Sequence, residues 1–160
     1  MSKIKIYTDG AARGNPGPGG YGVILEYKMH IKEISDGFRL TTNNRMELLA
    51  VIVGLESITE RGQSILIFSD SKYVVDSVNK GWVFNWEKQG YKKKKNPDLW
   101  RRFLKIYKHH NVLFKWVKGH AGHDKNERCD QLAVQASHSE ELKIDEGYEL
   151  NQSTQKGLFD

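Results

Sequence analysis

Ile65-Leu66-Ile67-Phe68-Ser69-Asp70 is the stretch that decides the architecture of this chain of 160 residues. It is rich in β-branched and aromatic residues and lies between two segments with helical spacing, 44–60 and 71–80. A strand entered and left through helices joins its sheet by crossovers, which are right-handed. Upstream, 3–9, 21–27 and 31–38 read as strands, the last two joined by a short link at Lys28–His30. That is an antiparallel meander. Downstream, Asp98 is placed to cap a helix reaching about His110, 111–117 reads as a strand, and Asn126 to Ser137 reads as a last helix. The expected class is α/β: a five-stranded mixed sheet, an antiparallel meander plus parallel strands, flanked by helices. Asp9 and Asp70 then end adjacent strands at one edge, where open α/β sheets place their ligands.

The chain carries 25 Lys and Arg against 20 Asp and Glu, a formal charge of +5, which points to a polyanionic partner. No stretch approaches the ~20 apolar residues of a membrane span. Met1-Ser2-Lys3-Ile4 runs straight into a strand pattern, so no signal peptide is read. Cys129, the single cysteine, has no partner within the chain and favours a reducing compartment, hence a cytoplasmic protein. Residues 1–139 read as one domain. Residues 140–160 are polar, acidic and aperiodic and read as a mobile tail. No association surface stands out, and a monomer is expected.

Four separated carboxylates carry the chemistry: Asp9, Glu47, Asp70 and Asp130. Singly, each has an ordinary explanation. Asp9-Gly10 is a turn dipeptide, Asp70 can start a helix, Asn44-Arg45-Met46-Glu47 resembles a capping box, and Asp130 can be a solvated helix residue. Their joint placement at apolar junctions favours one shared site. Clustered carboxylates need neutralising, and an oxygen-only set points to Mg²⁺, with Mn²⁺ as a substitute, rather than zinc. Two such metals suit cleavage of a phosphodiester. His120 and His123 flank a glycine loop, from which His120 is placed to shuttle protons or help product leave. Asn15, Thr42, Asn43 and Asn44 offer donors and acceptors for a ribose hydroxyl or a phosphate, or serve as loop and cap residues. The segment 82–97 interleaves Trp82 and Trp86 with Lys92-Lys93-Lys94-Lys95 and ends at Asn96-Pro97. Four adjacent ammonium groups gain by meeting phosphates; for Trp86 a core role is an equal reading.

Tyr7-Thr8-Asp9-Gly10, Asn15-Pro16-Gly17-Pro18-Gly19-Gly20, Thr42-Asn43-Asn44-Arg45-Met46-Glu47, Ser69-Asp70-Ser71 and Trp116-Val117-Lys118-Gly119-His120 through Asp130 together closely resemble the type 1 ribonucleases H of bacteria. The resemblance runs in unbroken order over about 3–138. It implies cleavage of the RNA strand of an RNA/DNA hybrid, leaving 5′-phosphate and 3′-hydroxyl ends. It implies two metal ions on Asp9, Glu47, Asp70 and Asp130, and a turnover role for His120. Asn15, Asn43 and Glu47 would sense ribose hydroxyls, Asn44 would contact DNA, and Thr42 with Asn96 would form a pocket for a DNA phosphate. Residues 82–97 would be the family's basic handle. Arg13, Leu40 and Lys72 depart from the usual pattern near the substrate path, which bears on affinity and sequence context and leaves the reaction class alone. A catalytically weak hybrid-binding module is the separate alternative, and the intact acidic set argues against it. Separately, Gln155, Leu158 and Phe159 form a Gln-x-x-Leu-Phe pattern. It resembles the peptide that replication proteins dock into the sliding clamp; a terminus without a partner is the other reading.

Overall fold

A computed structural model describes residues 3–119 and 123–150. Three strands come first, β1 (Ile4–Ala12), β2 (Gly17–Tyr27) and β3 (His30–Thr41), followed by helix α1 (Asn43–Glu56). Then follow β4 (Ser64–Ser69), α2 (Lys72–Asn79), α3 (Trp82–Lys88), α4 (Pro97–Tyr107), β5 (Asn111–Trp116) and α5 (Asp124–Ser137). The sheet order is β3-β2-β1-β4-β5. β1 pairs antiparallel with β2 and parallel with β4, and β4 pairs parallel with β5. The mixed sheet expected from the run at 65–70 is the one observed.

β1 is central, and its pleat serves two layers. Ile6 is fully buried in the main core with Met46, Leu48, Val51 and Ile52 of α1. Tyr7, of opposite parity, packs against the smaller cluster of Ile24, Cys129 and Leu132 under α5. α1 and α5 thus cover opposite faces of the strand that carries Asp9. Both come unusually close because glycine faces them. A Cβ on Gly10 would sit 2.4 Å from the Met46 carbonyl carbon and 2.5 Å from the Glu47 nitrogen. A Cβ on Gly22, which lies opposite Asp9 in the β1–β2 ladder, would sit 2.3 Å from the Cys129 carbonyl oxygen.

Local starts and stops differ from the sequence expectation in instructive ways. The Thr42 hydroxyl accepts from the Arg45 N–H at 3.2 Å and caps α1. Glu47 therefore lies beyond the capping turn, and the capping-box reading of Asn44–Glu47 is excluded. α1 stops at Glu56 rather than near 60, where the Ser57 hydroxyl turns back to donate to the Gly54 carbonyl at 2.7 Å. α4 starts at Pro97 with Asn96 as its cap in the left-handed region, φ 60°. Asp98 is a first-turn residue instead, because proline suits the first helical position, where no N–H is needed. Nor does Asp9 end its strand, since β1 continues to Ala12 against β2. What ends near Asp9 is the parallel ladder to β4, whose last pair is Tyr7 with Phe68.

The tail reading of 140–160 fails for its first half. Lys143 bridges Phe38: its N–H donates to the Gly37 carbonyl at 2.9 Å, and its carbonyl accepts from the Arg39 N–H at 2.9 Å. Arg39 pairs with Glu149 at 2.9 Å, and Asp145 is buried against Arg45 and Thr41. β3 is an edge strand with main-chain groups to satisfy, and this segment satisfies part of that edge. Polar composition concealed the docking because its anchors are ionic. Residues 151–160, including Gln155, Leu158 and Phe159, lie outside the described residues.

Gly10→Ala is expected to lower stability by about 3 kcal/mol or more, because backbone on both sides must move to admit one methyl group. The measurement is the midpoint of urea unfolding. A midpoint equal to that of the unsubstituted chain would refute the tight β1–α1 contact.

Candidate active site

The open end of the β1–β4 ladder receives three carboxylates. Asp9 comes from β1, Asp70 directly follows β4, and Glu47 comes from α1. One carboxylate oxygen from each lies within 4.8 Å of the others. Asp9 and Glu47 are buried and Asp70 is half-buried. The Gly10 N–H ties two of them together, donating to Asp9 Oδ1 at 2.9 Å and to Glu47 Oε1 at 2.7 Å. Glu47 Oε2 is buried with no hydrogen-bond partner among the described residues. Burial, then the adjoining Asp9 and the charge of Asp70, push the Glu47 carboxyl well above the usual carboxylate range. Burial and neighbouring like charge at Glu47 make the site favour a proton or a cation among the three carboxyl groups. An all-oxygen donor set with an orphaned buried oxygen fits a hard divalent cation. Asp9, Glu47 and Asp70 are the residues that would hold it.

Asp130 lies half-buried on α5 and outside that group of three. Its helix is nevertheless seated at the level of Asp9. The preceding Cys129 is buried, its thiol donates to the Tyr7 carbonyl at 3.2 Å, and its own carbonyl presses on Gly22, opposite Asp9. Burial, then the charge of Asp9, raises the Cys129 thiol far above its ordinary range, so it remains a packed thiol. His120 lies outside the described residues, and His123 stands half-buried at the start of α5.

The asparagines read as candidate contacts are locked by their oxygens. Asn15 Oδ1 accepts from the Asn43 N–H at 3.0 Å, and Asn43 Oδ1 accepts from the Ala12 N–H at 2.5 Å. Both side chains are exposed, so each presents its amide as a donor to solvent. Asn44 is exposed in the first turn of α1. Thr42 caps that helix, as described, and Asn96 is held from two sides. Its Oδ1 accepts from Arg45 at 3.2 Å, and its amide donates to the Tyr73 hydroxyl at 3.1 Å.

Segment 82–97 is a short helix followed by turns. Positive φ at Tyr91 (59°), Lys93 (61°) and Asn96 (60°) marks an over-determined backbone. The buried Tyr91 ring anchors it, and Lys92 to Lys95 are exposed beyond that anchor. Trp82 is exposed, with the Lys80 ammonium over its ring. Trp86 is half-buried and meets core Trp100 edge-on at 5.8 Å, so of its two readings the structure supports core packing. Lys94 lies over the Trp86 ring at 5.4 Å.

Two features escaped the sequence. The Gly10 N–H is invisible because any residue has one; its position next to Asp9 was the only clue. Trp116 Nε1 donates to the Asp70 carbonyl at 3.2 Å, and its exposed ring lies under the Lys72 ammonium at 4.8 Å. Only the register of β4 against β5, which pairs Ser69 with Trp116, brings the two together.

With this geometry the comparisons converge. The RNase H family model matches residues 1–138. The chain belongs to the RNase H family. It is 56% identical over 150 residues to the ribonuclease H of Desulforamulus reducens, covering 91% of this chain and 94% of that protein. The ribonuclease H of Rippkaea orientalis is 54% identical, covering 92% and 93%. Among solved structures, LC9-RNase H1, a type 1 RNase H with the type 2 active-site motif, superposes with a TM-score of 0.75 at 33% identity, covering 86% of this chain and 72% of that one. LC11-RNase H1 in complex with RNA/DNA hybrid gives 0.60 at 31% identity, covering 84% and 96%.

Of the three residues read above as departures, Arg13 and Lys72 make local contacts. Arg13 donates to the Ser137 carbonyl at 2.8 Å, tying the β1–β2 turn to the end of α5. Arg39, the neighbour of Leu40, is taken by Glu149. Lys72 rests on Trp116 beside Asp70.

Glu47→Gln is expected to melt higher than the unsubstituted chain without metal at neutral pH, by about 0.5–2 kcal/mol. The sign follows from linkage. A carboxyl whose folded pKa is raised destabilises the fold as pH climbs from the unfolded value to the folded one. The advantage of the variant should therefore shrink toward pH 4. Thermal melts in EDTA across pH 4–8 test this, and an advantage independent of pH would count against the clustered charge.

Proposed function

We propose that this RNase H family member is a Mg²⁺-dependent endoribonuclease. It hydrolyses the RNA strand of RNA/DNA hybrids, leaving 5′-phosphate and 3′-hydroxyl ends. The observation that carries the reading is the carboxylate group itself, with Glu47 buried, raised and short of a partner. A retired binding module has no physical reason to keep so costly a cluster. Two cations, when bound, would supply charge that favours ionisation of the attacking water and stabilises the leaving 3′-oxygen. Asp9, Glu47 and Asp70 would hold them, with Asp130 from α5. Mn²⁺ would substitute for Mg²⁺, and His120 would assist turnover.

The chain's own residues account for substrate choice. Asn15 and Asn43 present amide donors close to the Asp9–Glu47 junction, which suits a 2′-hydroxyl that only an RNA strand carries. Asn44 would contact the DNA strand, and Thr42 with Asn96 would take one of its phosphates. Lys92 to Lys95, with Trp82 at the base of the same segment, would grip the hybrid backbone. The RNA/DNA hybrid held by LC11-RNase H1 supports this substrate class. Among the described residues no helix is long and apolar enough to cross a membrane. The cytoplasmic reading rests on the single cysteine, Cys129. A sliding-clamp partner for Gln155, Leu158 and Phe159 rests on the short pattern alone.

The decisive assay offers one labelled RNA as single strand, as RNA duplex and as RNA/DNA hybrid, with Mg²⁺ or EDTA. Cleavage of the hybrid alone, with metal alone, is expected. Asp70→Asn should lower turnover by about 10³-fold or more, while metal-free hybrid binding persists or tightens as negative charge facing phosphate is removed. Tight hybrid binding without cleavage by the unsubstituted protein would favour the binding-module alternative. Replacing Lys92 to Lys95 with Ala should weaken binding and flatten the plot of log affinity against log salt by about 0.9 for each phosphate no longer neutralised. An unchanged slope would remove the handle from the interface.

A further inference from the structure

We propose that Arg45, clamped by Asp145 of the C-terminal segment, is a positioning residue that aims the Asn96 amide at a substrate phosphate. The inference rests on reading Asn96 as a phosphate contact and extends it to two residues with no contact role of their own. Arg45 is almost wholly buried, yet its guanidinium is fully engaged. Nε and Nη2 donate to Asp145 at 2.7 and 2.9 Å, and Nη1 and Nη2 donate to Asp98 at 2.9 and 2.7 Å. Two bidentate carboxylates fix the plane of the group. The same Nη1 donates to Asn96 Oδ1 at 3.2 Å.

That last bond decides how Asn96 is presented. With Oδ1 turned to Arg45 and one amide hydrogen given to the Tyr73 hydroxyl, the second amide N–H is the group left to offer. A flipped amide would place an N–H against the guanidinium and an acceptor toward an anion, both unfavourable. Arg45 also reaches the other member of the pocket, since its backbone N–H is the donor that the Thr42 hydroxyl accepts. One residue therefore orients both Thr42 and Asn96.

The clamp depends on the C-terminal segment. Asp145 also accepts from Thr41 Oγ1 at 2.7 Å and from the Tyr148 N–H at 3.3 Å, so it is pinned from its own side. Gly147 closes over the Arg45–Asp98 pair. A Cβ there would sit 2.0 Å from Asp98 Oδ2 and 2.7 Å from Arg45 Nη2. Nothing at 147 larger than hydrogen leaves the pair where it is. Residues 143–149 thus act on a phosphate pocket they do not line.

The test is a double-mutant cycle in the full chain, with hybrid cleavage measured below the melting temperature of every variant. Asp145→Asn is expected to raise KM roughly three- to tenfold, about the loss of one hydrogen bond, with kcat within about twofold. The slope of log affinity against log salt should not change, because Asn96 carries no charge. Gly147→Ala, which alters no polar group, should raise KM in the same way and serves if Asp145→Asn is too unstable. Glu149→Gln, which loosens the same segment without touching Arg45, should leave KM unchanged. Asn96→Ala should raise KM by itself, and Asn96→Ala/Asp145→Asn should be no worse than Asn96→Ala alone. Additive effects, or an equal rise from Glu149→Gln, would show that the segment acts through stability and would overturn the inference. If Asn96→Ala binds and cuts normally, the pocket reading fails and the inference falls with it. If the unsubstituted chain does not cut the hybrid, the failure lies in the proposed function, and the same cycle read as hybrid Kd still decides between coupling and additivity.

Discussion

The close approach of β1 to α1 at Gly10 is the constraint on which the site depends. Backbone meets backbone there with no room for a side chain, and that contact lets one N–H reach carboxylates from two elements. A larger residue would push α1 outward, and Glu47 would leave the cluster with it. Gly22 does the same for α5 on the other face. The central strand is pressed between two helices: α1 delivers Glu47 to Asp9, and α5 seats Cys129 against Gly22, opposite Asp9. The site is a consequence of how tightly three layers stack.

The molecule concentrates electrostatic cost at one end and relieves it at a neighbouring place. In the carboxylate cluster, burial and neighbouring like charge raise the Glu47 carboxyl, an arrangement that a proton or a cation relieves. Around Arg45 the balance is opposite. Burial disfavours its charge, but hydrogen bonds to Asp98 and Asp145 outweigh that and hold the guanidinium firmly ionised. Asp98 shows the same balance: burial raises it, and the bonds and charge of Arg45 bring it below the ordinary range. The two clusters are linked through the first turns of α1, where Thr42, Arg45 and Glu47 lie within six residues. A fully hydrogen-bonded Arg45 hub thus stands beside a carboxylate group in which Glu47 Oε2 has no hydrogen-bond partner among the described residues. The first holds the Asn96 side chain, and the second has the donor set of a cation site.

Much was legible in the chain. Alternation in 3–9, the β-rich run 64–69, helical spacing in 44–60 and the glycine-rich turns identify every element but α3, and their order, because short-range pattern reports on which side of an element is buried. Boundaries were less legible. α1 lost its last turn to a serine that bonds back to the helix, and α4 began at a proline rather than at the acid beside it. Trp86 could not be assigned without knowing that Trp100 lies across from it. The docking of 143–149 was hidden altogether. Its anchors are Lys143, Asp145 and Glu149, residues that composition alone places in solvent.

What the amino-acid order determined by itself is the strands, the helices other than α3, the α/β class and the identity of the acids, since these follow from local pattern and from side-chain chemistry. Only the tertiary structure decided which acids meet. Asp9, Glu47 and Asp70 are separated by 38 and 23 residues and become neighbours through strand register and glycine contacts. It also decided that Glu47 is buried and raised, that the oxygens of Asn15 and Asn43 are already spent, and that a polar terminus reaches Arg45. Each of these depends on distances between segments far apart in the chain. No periodicity encodes such distances, because they emerge only when the layers pack.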